Sequence, residues 1–158
     1  MDIRSIYYSH MFQLLKKYYH LIKAVIAVFY YGHPANGMTV IGVTGTDGKT
    51  TTASMIYHIL KETGHKVSLI STVAAYIDGK KLDTGFHVTT PDSFHLQSYI
   101  AKARDAGSRY LVLEVTSHAL DQNRVWGVPF AVGVLTNISR EHLDYHKTMK
   151  RYMMSKLK

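Results

Sequence analysis

The run Gly42-Val43-Thr44-Gly45-Thr46-Asp47-Gly48-Lys49-Thr50-Thr51 has the residue types needed to hold a phosphate chain. Glycines let backbone amides turn toward an anion, and a helix starting at Lys49 would add its free N–H groups and positive dipole end. The Lys49 ammonium can reach terminal phosphates, and the Thr50 hydroxyl can ligate magnesium. The strict phosphate-loop spacing asks for glycine five residues before Gly48, where Val43 stands. A plain glycine-rich turn between strand and helix is the competing reading, and the Gly-Lys-Thr-Thr run weighs against it.

A second group lies further along. Glu114 is followed by Thr116-Ser117-His118, and Asn137 to His142 follow a separate apolar run. If both runs are parallel strands, these residues fall at strand carboxyl ends, where open α/β sheets place their ligands. A carboxylate and an imidazole there could hold a divalent ion beside a nucleotide, with waters completing its shell. Each also has an ordinary alternative: Glu114 as a turn cap, His142 as a surface histidine, Arg124 as an ion-pair partner, Lys156 as part of a solvated basic face. The chain has no cysteine, which excludes disulfides, thiolate metal sites and cysteine nucleophiles.

Positioning such groups takes alternating strands and helices. Thr39–Thr44 reads as a short apolar strand, Lys49–Glu62 as a helix with Ala53, Ile56, Tyr57 and Leu60 on one face, and Lys66–Ser71 as a strand. Ala74–Leu82, broken at Asp78-Gly79, reads as a hairpin. Thr90-Pro91-Asp92 has the form of a helix start, with Thr90 as N-cap and Pro91 at the first helical position. Leu96, Tyr99, Ile100 and Ala103 give that helix its apolar face. Arg109–Val115 and Phe130–Leu135 are apolar without alternation, as are strands buried on both faces of a parallel sheet. The predicted fold is therefore α/β, a mostly parallel sheet with helices on both faces.

Ahead of this unit, Met11, Leu14, Leu15, Tyr18, Leu21, Ile22, Val25, Val28 and Phe29 recur at helical spacing, with Gln13, Lys16, Lys17, His20 and Lys23 opposite. Residues 1–38 are read as an N-terminal amphipathic helix and linker, and 39–158 as the nucleotide-binding domain. The helix is expected to pack on its own protein. Contact with a membrane surface is the weaker alternative, which its lysines and tyrosines leave open. The uncharged run from Ala24 to Tyr31 is far short of the roughly 20 residues of a membrane span, and Gly32 to Gly37 reads as a turn rather than a signal cleavage site.

Charge is distributed unevenly over the 158 residues, which are 46% apolar and 19% charged, a globular composition. Of the net +8, residues 1–38 carry +3 and residues 147–158 carry +5, while residues 39–146 balance. A nucleic-acid binder shows its basic surplus within the folded unit, so no nucleic-acid partner is expected.

On these motifs the sequence resembles the ATP-dependent Mur ligases of peptidoglycan synthesis. Thr44 to Thr51 is similar to their variant phosphate loop. Glu114-Val115-Thr116-Ser117-His118-Ala119-Leu120-Asp121-Gln122-Asn123-Arg124-Val125 and Thr136-Asn137-Ile138-Ser139-Arg140-Glu141-His142-Leu143-Asp144-Tyr145-His146 resemble the MurE branch. The resemblance implies that 39–158 is the first part of a central ATPase domain, roughly a quarter of a full ligase by usual domain size. The implied activity uses ATP and magnesium. It adds meso-diaminopimelate or L-lysine to UDP-N-acetylmuramoyl-L-alanyl-D-glutamate through an acyl phosphate, in the cytoplasm.

Site roles follow from the same resemblance. Gly45, Thr46, Asp47, Gly48, Lys49, Thr50 and Thr51 would bind the ATP phosphates, with Asn137 near the nucleotide. Thr50, Glu114, His142 and a carbamylated Lys156 would hold magnesium, and Thr89, Thr90, Thr116, Gln122 and Arg124 would contact the muramoyl-peptide. Lys49, Glu114, His142 and Lys156 form the implied catalytic set. Asp47 stands where the family commonly has asparagine, Thr116 where serine is usual, and Lys147 where glycine is usual. A uridine-binding N-terminal domain and an amino-acid-binding C-terminal domain fall outside these residues, so this stretch alone is expected not to ligate. The alternatives are a non-catalytic nucleotide-binding module, or a related ligase acting on another carboxylate, such as a folylpolyglutamate or cyanophycin synthetase. Ser117 to Gln122 weighs against the last.

Overall fold

The computed structural model describes residues 3–82 and 90–158, with residues 3–10, 12 and 13 described by backbone alone. Thr89, an expected substrate contact, lies outside the described residues. The elements run α1 (Ile3–Tyr30), β1 (Thr39–Thr44), α2 (Lys49–Glu62), β2 (Val67–Ile70), β3 (Ala75–Ile77), β4 (Lys80–Leu82), α3 (Ser93–Asp105), β5 (Tyr110–Glu114), α4 (Ser117–Asp121), β6 (Phe130–Leu135), α5 (Leu143–His146) and α6 (Met149–Lys156).

The strands form one six-stranded sheet in the order β4-β3-β2-β5-β1-β6. β2, β5, β1 and β6 are parallel, and β3 and β4 continue the sheet as an antiparallel hairpin. The hairpin turn is Asp78-Gly79, both at positive φ (52° and 72°), the backbone that a two-residue turn between right-twisted strands requires.

Two apolar layers cover the sheet. On one side, Ala53 and Tyr57 of α2 meet Val43, Val67, Leu69 and Val112. On the other, Leu96, Ile100 and Ala103 of α3 meet Val40, Ile70, Leu111 and Leu113. These are the helix faces predicted from periodicity. Register then builds the site: Val43 pairs with Glu114 and Thr44 with Leu135, so the loops after β1, β5 and β6 leave the sheet side by side.

Three local expectations are corrected. The N-cap of α3 is Asp92, whose carboxylate accepts from the amides of Phe94 (2.9 Å) and His95 (3.5 Å). Thr90 is not the cap, because its hydroxyl is taken up by Thr116 across the sheet end. β6 is not buried on both faces. Among the described residues it pairs with β1 alone, and Phe130, Val132 and Leu135 remain 37–47% exposed. Finally, α1 does pack on its own protein, but through Ala24, Ala27 and Val28 together with its lysines. Most of the large apolar side chains that the periodicity had directed inward are exposed.

Polar contacts flank the buried stripe of α1. Lys17 pairs with Asp121 at 2.8 Å and Lys23 with Asp92 at 3.3 Å, and the Arg104 guanidinium donates to the Tyr31 carbonyl. After Lys23 the small residues Ala24 and Ala27 allow close approach, and at Gly127 an added Cβ would press on Val28. No helix among the described residues is long and apolar enough to cross a membrane.

Candidate functional site

The loop between β1 and α2 folds so that Gly48 caps the helix in the left-handed region (φ 75°). At Gly45 a side chain would overlap Thr136 Oγ1, so only glycine lets the loop after β6 approach this closely. That approach is cemented by backbone contacts. Thr46 N donates to the Asn137 carbonyl at 3.0 Å, Asp47 N to Asn137 Oδ1 at 2.9 Å, and Thr136 Oγ1 to the Asp47 carbonyl at 2.7 Å. Asn137, expected near the nucleotide, thus shapes the loop itself. Asp47 is exposed and contributes through its main chain.

Lys49 Nζ donates to the carbonyls of Gly45 (3.1 Å) and Thr46 (2.6 Å), holding a cation inside the curve of the loop. Thr50 Oγ1 donates to Glu114 Oε2 at 3.0 Å, and the same oxygen accepts from Thr72 N at 3.0 Å. Glu114 is 1% exposed. A buried carboxylate beside a threonine hydroxyl, at the start of a helix that follows a phosphate loop, is a donor set suited to magnesium. Among the described residues no three His, Asp or Glu side chains converge as a metal cluster. An ion here would therefore complete its shell with phosphate oxygens and water, as magnesium does.

His142 stands at the head of α5 in the left-handed region (φ 54°), with its ring 4.8 Å from that of His118 and Nε2 3.5 Å from Glu141. Lys156 is 8% exposed and donates to the Gly45 carbonyl at 2.6 Å. Burial first, then the Lys49 charge, lowers its pKa to about 8. About a tenth of such an amine is neutral at pH 7, far more than for a free lysine.

Thr90, Thr116, Gln122 and Arg124 come together in one network. Thr90 Oγ1 accepts from Thr116 N at 3.1 Å and lies 3.5 Å from the Glu114 carbonyl. Arg124 donates to Gln122 Oε1 (2.8 Å) and the Thr90 carbonyl (3.3 Å), and its guanidinium is partly buried. Gln122 reaches the Tyr145 hydroxyl, which donates to Asp121.

Several participants escaped sequence reasoning. Tyr152, fully buried, lies with its hydroxyl 2.9 Å from Thr46 Oγ1, which also accepts from Ser139 N. Its signal was the four-residue spacing to Lys156, which puts both on one helix face. His146 is bonded to Ser117 Oγ at 3.0 Å, and burial, reinforced by His118, lowers its pKa to about 4. The Thr72 amide had no side-chain signal at all.

Comparison with known proteins identifies the family of this fold. Residues 43–158 match the Mur ligase middle domain. Curated relatives include the UDP-N-acetylmuramoyl-L-alanyl-D-glutamate--2,6-diaminopimelate ligases of Parabacteroides distasonis (46% identical over 82% of this chain and 26% of the relative) and Clostridium perfringens (44% over 85% and 28%). The chain thus spans about a quarter of the length of the relatives it matches. A solved structure of a ligase of that same name superposes with a TM-score of 0.65 at 30% identity, over 77% of this chain and 24% of the other. A pseudomurein peptide ligase type C from Methanothermus fervidus superposes with a TM-score of 0.50 at 27% identity, over 75% and 21%. With its phosphate loop, its buried glutamate and nearly three-quarters of its length matched, the chain belongs to the Mur ligase family.

Proposed function

We propose that this chain is the nucleotide-binding part of a cytoplasmic, ATP-dependent ligase that adds diaminopimelate, or another third amino acid, to UDP-N-acetylmuramoyl-L-alanyl-D-glutamate. The observation that carries the reading is the position of Glu114. Its carboxylate bonds Thr50 of the phosphate loop while its own carbonyl faces Thr90 of the Thr90–Thr116–Arg124 network. A phosphate-side contact and a substrate-side contact on one residue suit a reaction in which a substrate carboxylate meets the γ-phosphate of ATP.

In that reaction the carboxylate attacks phosphorus, ADP leaves, and the amine of the third amino acid then displaces phosphate to form the amide. No protein nucleophile is needed, so the work of the chain is positioning and electrostatics. Lys49 exchanges its loop carbonyls for phosphate oxygens and balances their charge. Arg124, partly buried and bonded to neutral acceptors, orients an anionic part of the muramoyl-peptide. Thr50 and Glu114, with His142 and a carbamylated Lys156, would hold magnesium, which when bound neutralises charge on the phosphates. The division at residues 38 and 39 belongs to the same reading, the first segment being an accessory helix.

Two measurements test it. Titration of the chain with MgATP should show saturable binding that Lys49→Ala removes. In a protein extended to the length of its relatives, ADP release should require both the muramoyl dipeptide and the amino acid. ATP binding without ADP release, whatever dipeptide is supplied, would instead indicate a non-catalytic nucleotide-binding module.

A further inference from the structure

Gln122 and Arg124 hold each other, and what fixes their arrangement lies outside both. Arg124 Nε donates to Gln122 Oε1 at 2.8 Å, and Gln122 Nε2 donates to the Tyr145 hydroxyl at 3.2 Å. That hydroxyl has one proton, which it gives to Asp121 Oδ2 at 3.0 Å, so towards Gln122 its oxygen can only accept. Asp121 enforces this, because an ionised carboxylate accepts and never donates. Burial works to raise the Asp121 pKa, but the bonds from Lys17 and Tyr145 outweigh it and hold the carboxyl below its ordinary range. Lys17 of α1 lies 2.8 Å from Oδ1 and Lys158 3.5 Å from the same oxygen, which leaves Oδ2 to Tyr145.

Donation therefore runs one way, from Arg124 through Gln122 and Tyr145 to Asp121. Turning the Gln122 amide over would set its N–H against the Arg124 N–H and its carbonyl against an oxygen with no proton to offer. At the other end, Arg124 Nη1 donates to the Thr90 carbonyl at 3.3 Å. Two N–H groups of the guanidinium are thus committed, and the others meet no partner among the described residues. Helix α1 braces both walls of this arrangement. Lys17 holds the end of α4 through Asp121, and Lys23 lies 3.3 Å from Asp92, the N-cap of α3 two residues after Thr90. Since α1 precedes residues 43–158, this bracing comes from outside the span matched to the middle domain.

We propose that Tyr145 and Asp121 are positioning residues for the muramoyl-peptide site, fixing the Gln122 amide so that Arg124 presents its unbonded N–H groups to an anionic part of the substrate, and that Lys17 of α1 anchors this relay. The proposal rests on the ligase reading for the identity of the ligand and deepens it. Neither Tyr145 nor Asp121 touches the reacting atoms; they act through Gln122 and Arg124, whose orientation is fixed before the substrate arrives.

Two readouts test it. The first needs no ligand: the Arg124 Nε proton of the 158-residue chain, followed by nitrogen-15 NMR and assigned by its loss in Arg124→Lys, should exchange with water about fivefold faster or more in Tyr145→Phe. Phenylalanine keeps the ring against His118 and His146, so only the hydroxyl is removed. Lys17→Met should speed exchange as well, and Lys17→Arg should restore the slow rate. The second readout uses the protein extended to the length of its relatives, where Tyr145→Phe should raise KM for the muramoyl dipeptide about fivefold or more and leave KM for ATP as it was. A general loosening of the fold would move both constants. Unchanged Arg124 exchange in Tyr145→Phe, or an unchanged KM for the dipeptide in an active enzyme, would overturn the proposal. Faster exchange together with an extended protein that turns over no muramoyl dipeptide would uphold the relay and overturn the ligase reading, along with the ligand named here.

Discussion

The Tyr152 hydroxyl lies 2.9 Å from Thr46 Oγ1, and one turn further along the same helix the Lys156 ammonium donates to the Gly45 carbonyl at 2.6 Å. Helix α6 therefore grips the phosphate loop at two successive residues. The loop is set from behind by residues more than a hundred positions away in the chain.

Removing the first grip is the mildest test of this arrangement. Tyr152→Phe keeps the buried ring and deletes one hydrogen bond, leaving Thr46 Oγ1 with Ser139 N. A loss of about 1 kcal/mol in unfolding free energy is expected, with MgATP affinity several-fold weaker because the loop is less fixed. Denaturant unfolding and calorimetric titration read the two effects separately.

Lys156 should make stability depend on alkaline pH. Its folded pKa near 8 lies below the ordinary value of 10.5, so the unfolded chain binds more protons between those limits. Stability therefore rises with pH from about 8 to 10.5, and Lys156→Met should flatten that rise. The neutral amine available near pH 8 should also take up carbon dioxide. A carbamate carbon signal is expected in labelled bicarbonate, and its absence from Lys156→Arg would assign it.

His146 governs the acid side. Its pKa near 4, against 6.5 for a free imidazole, means that the unfolded state binds the extra proton between those values. The stability present above pH 6.5 is lost as pH falls toward 4, by roughly 1–3 kcal/mol. His118, also lowered by burial and by His142, adds to the effect. In His146→Gln, which keeps a polar group for Ser117, unfolding free energy measured over this range should vary less steeply.

Glu114→Gln separates charge from shape. One amide oxygen can still accept from Thr50 and Thr72, so the fold should persist while the negative charge is gone. ATP affinity should lose most of its magnesium dependence, at least about tenfold. Titrations with and without magnesium check this.

Much of this molecule was written in local sequence. The phosphate loop, the faces of α2 and α3, the Asp78-Gly79 turn and the strand-end position of Glu114 depend on residues close in the chain, whose spacing carries the geometry. The motifs also brought Thr90, Thr116, Gln122 and Arg124 into one expectation, and the fold brings them into one network.

What tertiary structure alone decided is how equivalent local choices were spent. Thr90 and Asp92 could each cap α3; a hydroxyl partner at Thr116 across the sheet end took Thr90 and left the cap to Asp92. The apolar run of β6 reads as a strand, and the sheet sets which neighbour it meets: among the described residues it pairs with β1, on the side opposite β5. Periodicity directed the large apolar face of α1 inward, and most of that face is exposed. The fold buries Ala24, Ala27 and Val28 instead, with Lys17 and Lys23 paired at the margin to Asp121 and Asp92. A sequence pattern specifies the shape and chemistry of each face, but the partner it meets is set by contacts distant in the chain, and those exist only once the sheet has formed.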